Sequence, residues 1–170
     1  MNYTSCYHSP LGNITLASDG RALLGLWFDG QRHFGSTLGV QAPSLTELSI
    51  FDDTRRWLDT YFSGRKPDFT PSLSLHGTAF QQRVWETLLA IPYGRLVTYG
   101  ELASRLGICS AQAVGGAVGR NPISIIVPCH RVVGAGGSLT GYAGGLDRKR
   151  ALLQMEKKVD ETMIFRTEEK

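Results

Sequence analysis

The hydrophobic pattern of the chain changes period along its length, and the changes divide it. From Tyr3 to Phe28 the apolar positions come in short runs, Tyr3 to Tyr7, Ile14 to Ala17 and Ala22 to Phe28, broken by Pro10-Leu11-Gly12 and Asp19-Gly20. Short runs with such breaks predict a small antiparallel sheet, with Asp19-Gly20 as a hairpin turn. From Ser44 the period lengthens. Ser44-Leu45-Thr46-Glu47 has the form of a capping box, and Leu48, Phe51, Arg55, Leu58 and Phe62 recur at helical spacing until Gly64. One amphipathic helix is therefore expected to cover the sheet.

Between Ser63 and Gly77 the composition turns to Gly, Lys, Pro, Ser and Thr, with Pro67 and Pro71. This places an N-terminal domain over 1–72, a second domain over 73–157 and a charged tail over 158–170. The second domain reads as helical. Thr78 with Gln81 makes a capping box, and Phe80, Val84, Leu88 and Ile91 form one apolar face before Pro92-Tyr93-Gly94. Thr98 with Glu101 starts a short helix that Gly107 ends, and Ser110 caps the next, Ala111 to Gly119. Two short helices joined by such a turn predict a helix-turn-helix, although an αα-hairpin that only packs has the same pattern.

The second of these helices is a poor helix former. Gly115 and Gly116 together cost about 2 kcal/mol relative to alanine, which implies that a small surface is needed for close backbone approach. Only Gln112, Arg120 and Asn121 are of the type that reads base edges, so binding to DNA would rest on shape and phosphates with little sequence preference.

The run Ile123-Ser124-Ile125-Ile126-Val127 is cut by Pro128 and followed by Cys129, His130 and Arg131. A strand ending on Pro128 would leave Cys129 presented at a sheet edge. A cysteine in such surroundings is commonly a small buried hydrophobe. To act as a nucleophile it needs something that draws its pKa below the unperturbed value of about 8.5. His130 is the adjacent base, but neighbours on an extended chain face opposite ways, so a kink or a bridging water is required. The glycine-rich stretch 134–145 reads either as a flexible linker or as backbone lining for a flat ligand. Asp147 is expected to cap a last helix with Leu152 and Leu153 inward and Glu156 facing inward one turn on. Arg148, Lys149 and Arg150 at its start oppose the helix dipole and imply an external anion.

Composition narrows the class. The 170 residues are 42% hydrophobic with no apolar run long enough to span a membrane and no basic-then-apolar leader, so a soluble cytoplasmic or nucleoid protein without membrane association is expected. Cys6, Cys109 and Cys129 are odd in number and widely spaced, which argues for a reducing compartment. Cys6, His8, His33 and His76 fit no zinc pattern, and no metal is expected. Residues 1–76 carry 6 basic and 7 acidic side chains, whereas 77–170 carry 12 and 8. The second half is the one suited to a polyanion, although an ordinary solvated surface has the same balance.

Ile126 to Val133, reading Ile-Val-Pro-Cys-His-Arg-Val-Val, is preceded by Ala113-Val114-Gly115-Gly116-Ala117 and Asn121-Pro122 and followed by Gly141-Tyr142-Ala143-Gly144-Gly145. Together these resemble the methylated-DNA–protein-cysteine methyltransferases, densely over residues 77–157 and weakly at Ser9-Pro10-Leu11-Gly12. The resemblance implies a small RNase H-like α/β N-terminal domain with an antiparallel sheet, and a C-terminal winged-helix-like (helix-turn-helix) catalytic domain. It implies irreversible transfer of an alkyl group from O6-alkylguanine, and from O4-alkylthymine, in double-stranded DNA to Cys129. The expected protein is a monomer that works once and without a cofactor.

It further implies that the helix bearing Gln112, Ala113, Gly115 and Gly116 lies in the minor groove, with Arg120 and Thr98 on the same DNA-binding side, while the damaged base is flipped into a pocket. His130 would deprotonate Cys129 through a water, oriented by Glu156. Asn121 would tie the helix to the active-site turn, and Tyr99 would touch phosphate and help neutralise the leaving guanine. Backbone at Cys129, Val132 and Ala143 would hold the base edge, with Tyr142 on the pocket wall, Lys149 nearby and Ser124 on the rim. Two departures stand out: Gln112 where the family carries an arginine, and a turn over 107–111 that is shorter and lacks its proline. A thiol hydrolase using Cys129 and His130, and a non-catalytic alkyltransferase-like DNA binder, remain the alternatives.

Overall fold

The computed structural model describes residues 2–39 and 44–156; the tail expected over 158–170 lies outside the described residues. Contacts gather these into two units. One holds the residues up to His76 together with Pro122–Ile126, and the other holds Gly77–Asn121 and the chain from Val127 on.

The first unit is built on β1 (Tyr3–Ser9), β2 (Gly12–Ser18) and β3 (Leu23–Phe28), an antiparallel meander. The Asp19-Gly20 turn forms as expected. The Asp19 carboxylate accepts from the amides of Arg21 at 2.9 Å and Ala22 at 3.0 Å, and Gly20 takes a φ of +103°, open to glycine at little cost. Every residue of β3 is buried. Its backbone is met by Ser72 and Ser74 around Leu23 and by Pro122 and Ser124 around Leu26.

A two-residue strand, β4 (Ser44–Leu45), pairs parallel to β1 and completes the sheet order β3-β2-β1-β4. The capping box expected over Ser44–Glu47 is therefore not formed. Helix α1 (Ser49–Phe62) starts only after Leu48, whose side chain has no acceptor with which to cap it, and Glu47, one residue before that position, pairs with Ser5 and Arg55. The helix buries Ile50, Phe51, Thr54, Trp57, Leu58 and Tyr61.

The second unit is largely helical: α2 (Ala79–Leu89), β5 (Val97–Thr98), α3 (Tyr99–Leu106), α4 (Ala111–Gly119), β6 (Val132–Val133) and α5 (Leu146–Met155), with β5 and β6 paired in parallel. The Thr78–Gln81 capping box forms in both directions. Thr98 and Ser110 each cap a helix by accepting from the amide three residues on, and Gly107 ends α3 in the left-handed conformation at φ +68°. The Trp85 indole N–H donates to the Ala117 carbonyl at 2.9 Å and fixes α2 against α4. A helix-turn-helix thus stands against a short two-stranded ribbon. No helix among the described residues is long and apolar enough to cross a membrane.

The stretch before Cys129 departs from expectation. Ile123 bridges to Leu26, but the chain does not continue as a strand: it turns, and Ile125 adopts φ +71° while fully buried. A β-branched residue there costs on the order of 1–3 kcal/mol, so the surrounding packing must hold it.

Candidate active site

Cys129, His130 and Arg131 form one turn of 3-10 helix, entered from Pro128 at φ −83° and ψ 64°. This supplies the kink that an extended chain would have lacked. All three side chains are buried, Cys129 to 6% exposure and His130 to 0%. Cys129 is thus packed rather than presented at a sheet edge, because Pro128 leads into a turn and not out of a strand.

The side-chain amide of Asn121, at the end of α4, donates to the Val127 carbonyl at 2.7 Å and also bonds the Cys129 sulfur. Burial pushes the Cys129 thiol above its ordinary value, against the pull of Asn121 and the charge of Lys149. The depressed value expected from the sequence is therefore corrected: at neutral pH the resting group is a thiol, and a base has to take its proton.

His130 and Glu156 are joined. His130 Nε2 lies 2.6 Å from Glu156 Oε2, and Glu156, at the C-terminal end of α5, is 2% exposed. The same carboxylate accepts from Arg131 Nε at 2.9 Å, from Arg131 Nη2 at 3.2 Å and from the Gly94 amide at 2.9 Å. Burial alone would raise the Glu156 carboxyl, but the hydrogen bonds of His130 and Arg131 and the charge of Arg131 outweigh it and hold it well below the usual carboxylate range. Burial holds His130 below the ordinary imidazole range even though Glu156 pulls it up. An ionised carboxylate at Oε2 accepts, so Nε2 carries the ring proton and Nδ1 the lone pair.

Lys149 sits at the opposite end of α5 with no exposed surface. Its ammonium donates to the carbonyls of Val132 at 2.6 Å, Thr140 at 2.9 Å and Gly141 at 3.1 Å, and lies 6.0 Å from the Tyr99 ring. Burial lowers it to about 8, an effect that Cys129 opposes only when its thiol is ionised. The Tyr99 hydroxyl donates to the Thr140 carbonyl at 3.4 Å, and Tyr142 and Ala143 are half-buried in the same loop. Cys129, His130, Glu156, Asn121, Val132, Lys149 and Tyr99 are thus gathered by the 3-10 turn, the glycine-rich loop and α5.

Three expectations are corrected here. Ser124 is 2% exposed and bonded to Leu26 and, through its hydroxyl, to Gln31 at 3.4 Å, so it is a packed residue of the first unit and not an open rim. Asp147 does not cap α5; Gly145 at φ +93° precedes the helix, and Asp147 pairs with Arg150 at 3.3 Å. The three cations at the start of α5 are answered inside the chain, Arg148 by the Gly144 carbonyl, Lys149 by its three carbonyls and Arg150 by Asp147, so they do not call for an external anion.

On α4, Ala111, Gln112, Ala113, Gly116 and Arg120 are exposed, while Val114, Ala117 and Val118 are buried. Thr98, half-buried, is spent on capping α3. A Cβ at Gly115 would meet the Tyr99 ring at 3.7 Å, an ordinary contact, and one at Gly116 would meet nothing within 4 Å. The backbone approach expected of these glycines is therefore not made among the described residues.

Arg131 escaped the sequence reading of roles. Its signal was present: a guanidinium amid Val127, Pro128, Val132 and Val133 has to find a buried acid.

Two family descriptions match the chain. "6-O-methylguanine DNA methyltransferase, ribonuclease-like domain" covers residues 2–75, and "6-O-methylguanine DNA methyltransferase, DNA binding domain" covers residues 79–158. A methylated-DNA–protein-cysteine methyltransferase of Mycobacterium leprae is 49% identical over 88% of both chains, and one of Haemophilus influenzae 44% identical over 91% of this chain and 86% of its own. Crystal structures of Mycobacterium tuberculosis O6-methylguanine methyltransferase and of Mycobacterium tuberculosis OGT in complex with DNA superpose with TM-scores of 0.81 and 0.80. They are 44% and 43% identical, covering 95% and 96% of this chain and 96% and 98% of theirs.

Proposed function

The chain belongs to the methylated-DNA–protein-cysteine methyltransferase family, and from that premise we propose that it repairs DNA by moving the alkyl group of O6-alkylguanine, and of O4-alkylthymine, onto Cys129 in a single irreversible turnover. The observation that carries this reading is the buried Cys129 thiol on the same helical turn as His130, whose imidazole is held by the ionised Glu156.

The proton of the Cys129 thiol passes through a water to His130 Nδ1. The sulfur attacks the alkyl carbon in line, the S–C bond forms, and the O6–C bond breaks with its electron pair returning to guanine. The proton returns to the purine, so thiol and O6-alkylguanine become thioether and guanine with no metal, cofactor or redox partner. A thioether is a poor leaving group, which makes the step stoichiometric. Tyr99 faces the leaving base and helps neutralise it. Backbone at Cys129, Val132 and Ala143, with the Tyr142 ring, holds the base edge.

Double-stranded DNA is met by the exposed face of α4, Gln112, Ala113 and Gly116 with Arg120, entering the minor groove without sequence preference. The target base is flipped out because its O6 substituent is unreachable in the stack. One protein molecule acts alone.

Intact-protein mass spectrometry after mixing with duplex DNA containing O6-methylguanine tests this. A one-to-one gain of one CH2, mapped to Cys129 and absent in Cys129→Ser, is expected. Sustained release of demethylated product without protein modification would instead establish a hydrolase, and unmodified protein bound to DNA a binder.

A further inference from the structure

The Glu156 carboxylate has more partners than orienting an imidazole requires. Arg131 meets it with a two-pronged fork, Nε on Oε1 and Nη2 on Oε2, and spends Nη1 on the Ile91 carbonyl at 2.8 Å. The guanidinium is 7% exposed and lies 5.6 Å from the Tyr93 ring centroid. Glu156 therefore sits between one permanent cation and one titratable ring. The other groups facing this cluster are Lys149 from α5, Cys129 on the same turn, and Tyr93 from the loop after α2.

A buried carboxylate lacking a permanent countercharge takes its proton or its cation from whatever titratable neighbour it has. Here that neighbour is His130, and an imidazole drawn into the imidazolium form has no lone pair with which to accept a proton from Cys129. We propose that Arg131 is a positioning residue of the reaction: by satisfying the charge of Glu156 it keeps His130 neutral, with its proton on Nε2 and Nδ1 left as the accepting atom. Arg131 touches neither substrate nor sulfur and acts through Glu156 and His130. The inference rests on the alkyl transfer proposed above.

Two measurements decide it. In the first, rates of Cys129 methylation by O6-methylguanine duplex are followed from acid to alkaline pH for the wild type, Arg131→Met and Arg131→Lys. Arg131→Met is expected to move the acid limb up by about one pH unit, the size of shift that an uncompensated neighbouring charge confers. The alkaline plateau should stay within a few-fold of wild type, and Arg131→Lys should return the limb most of the way. A loss of rate at every pH with the limb unmoved overturns the proposal, because that is what disturbed packing alone produces.

In the second, nitrogen-15 NMR of His130 is recorded on the wild-type chain, so the outcome stands even where Arg131→Met does not fold. The neutral Nε2–H ring persisting well below the unperturbed imidazole value of about 6.5 is expected. An imidazolium at pH 7 overturns the proposal. If the wild type acquires no methyl group, the reading of the reaction fails, while comparison of the His130 titration by NMR between the wild type and Arg131→Met still judges the role of Arg131.

Discussion

At the scale of single residues, Glu156 carries the most consequence. Glu156→Gln keeps the shape but leaves the Arg131 guanidinium buried beside a neutral amide, an imbalance that costs about 3–5 kcal/mol. Urea unfolding at pH 7 is expected to report a loss of that size. Its pH dependence follows from the depressed carboxyl of the folded state. The stabilisation is fully present above the unfolded carboxylate value of about 4.3 and is lost as pH falls toward the lower folded value, so the gap between wild type and Glu156→Gln should close on acidification.

Gln112 is the second residue-scale test. It is exposed on α4 and neutral, at the position where the resemblance implies an arginine. Gln112→Arg is expected to tighten binding to duplex DNA and speed repair by adding a charge and a stacking plane. Anisotropy titration and single-turnover rates check this, and equal values for both proteins would remove Gln112 from the interface.

At the scale of elements, α4 has given up stability without any internal use for it. Because no atom of the described residues would crowd a Cβ at Gly116, Gly116→Ala should stabilise the fold by about 0.5–1 kcal/mol through helix propensity. The same change should weaken DNA binding if that face meets DNA backbone. A melt and a binding isotherm on one sample measure both, and a stabilised variant with unchanged affinity would clear this face of contact. Helix α5 is the other organising element, since Lys149 clamps the β6 carbonyl of Val132 to the loop carbonyls of Thr140 and Gly141. Lys149→Met leaves those acceptors without their donor and should cost about 1–3 kcal/mol in chemical denaturation.

What was legible at this scale was local. The Thr78–Gln81 box, the Asp19-Gly20 turn and the ends of α3 and α4 are decided by residues within one turn of each other. Illegible were the features set by distant partners: β4 forms because β1 offers an edge, the box expected over Ser44–Glu47 is lost because Ser44–Leu45 joins that edge and the helix starts only after Leu48, and Ile125 is forced left-handed by packing that no local preference would choose. The site divides the same way. The motif around Cys129 pointed to the proposed nucleophile, but its direction of pKa shift and the engagement of Lys149 depend on burial that periodicity does not report.

At the scale of the whole molecule, the chain leaves the second unit at Asn121, contributes Pro122–Ile126 to the first, and returns at Val127 two residues before Cys129. Ile123 and Ile125 have no exposed surface, and their segment is hydrogen-bonded to β3. A fragment beginning at Gly77 would carry this segment without its sheet. Such a fragment is expected to melt well below the full chain and to methylate more slowly, and calorimetry with a single-turnover assay tests both. Equal melting temperatures would mean that the catalytic unit closes over Pro122–Ile126 by itself.

The closed, protonated state of the Cys129 sulfur also bears on how long an idle copy keeps its value. Peroxide and stray electrophiles react with accessible thiolates, and this atom is neither accessible nor ionised at rest. A molecule spent by its first encounter is in this way shielded from small oxidants while it waits, whereas the exposed Cys6 and Cys109 would be scavenged first without loss of the repair dose.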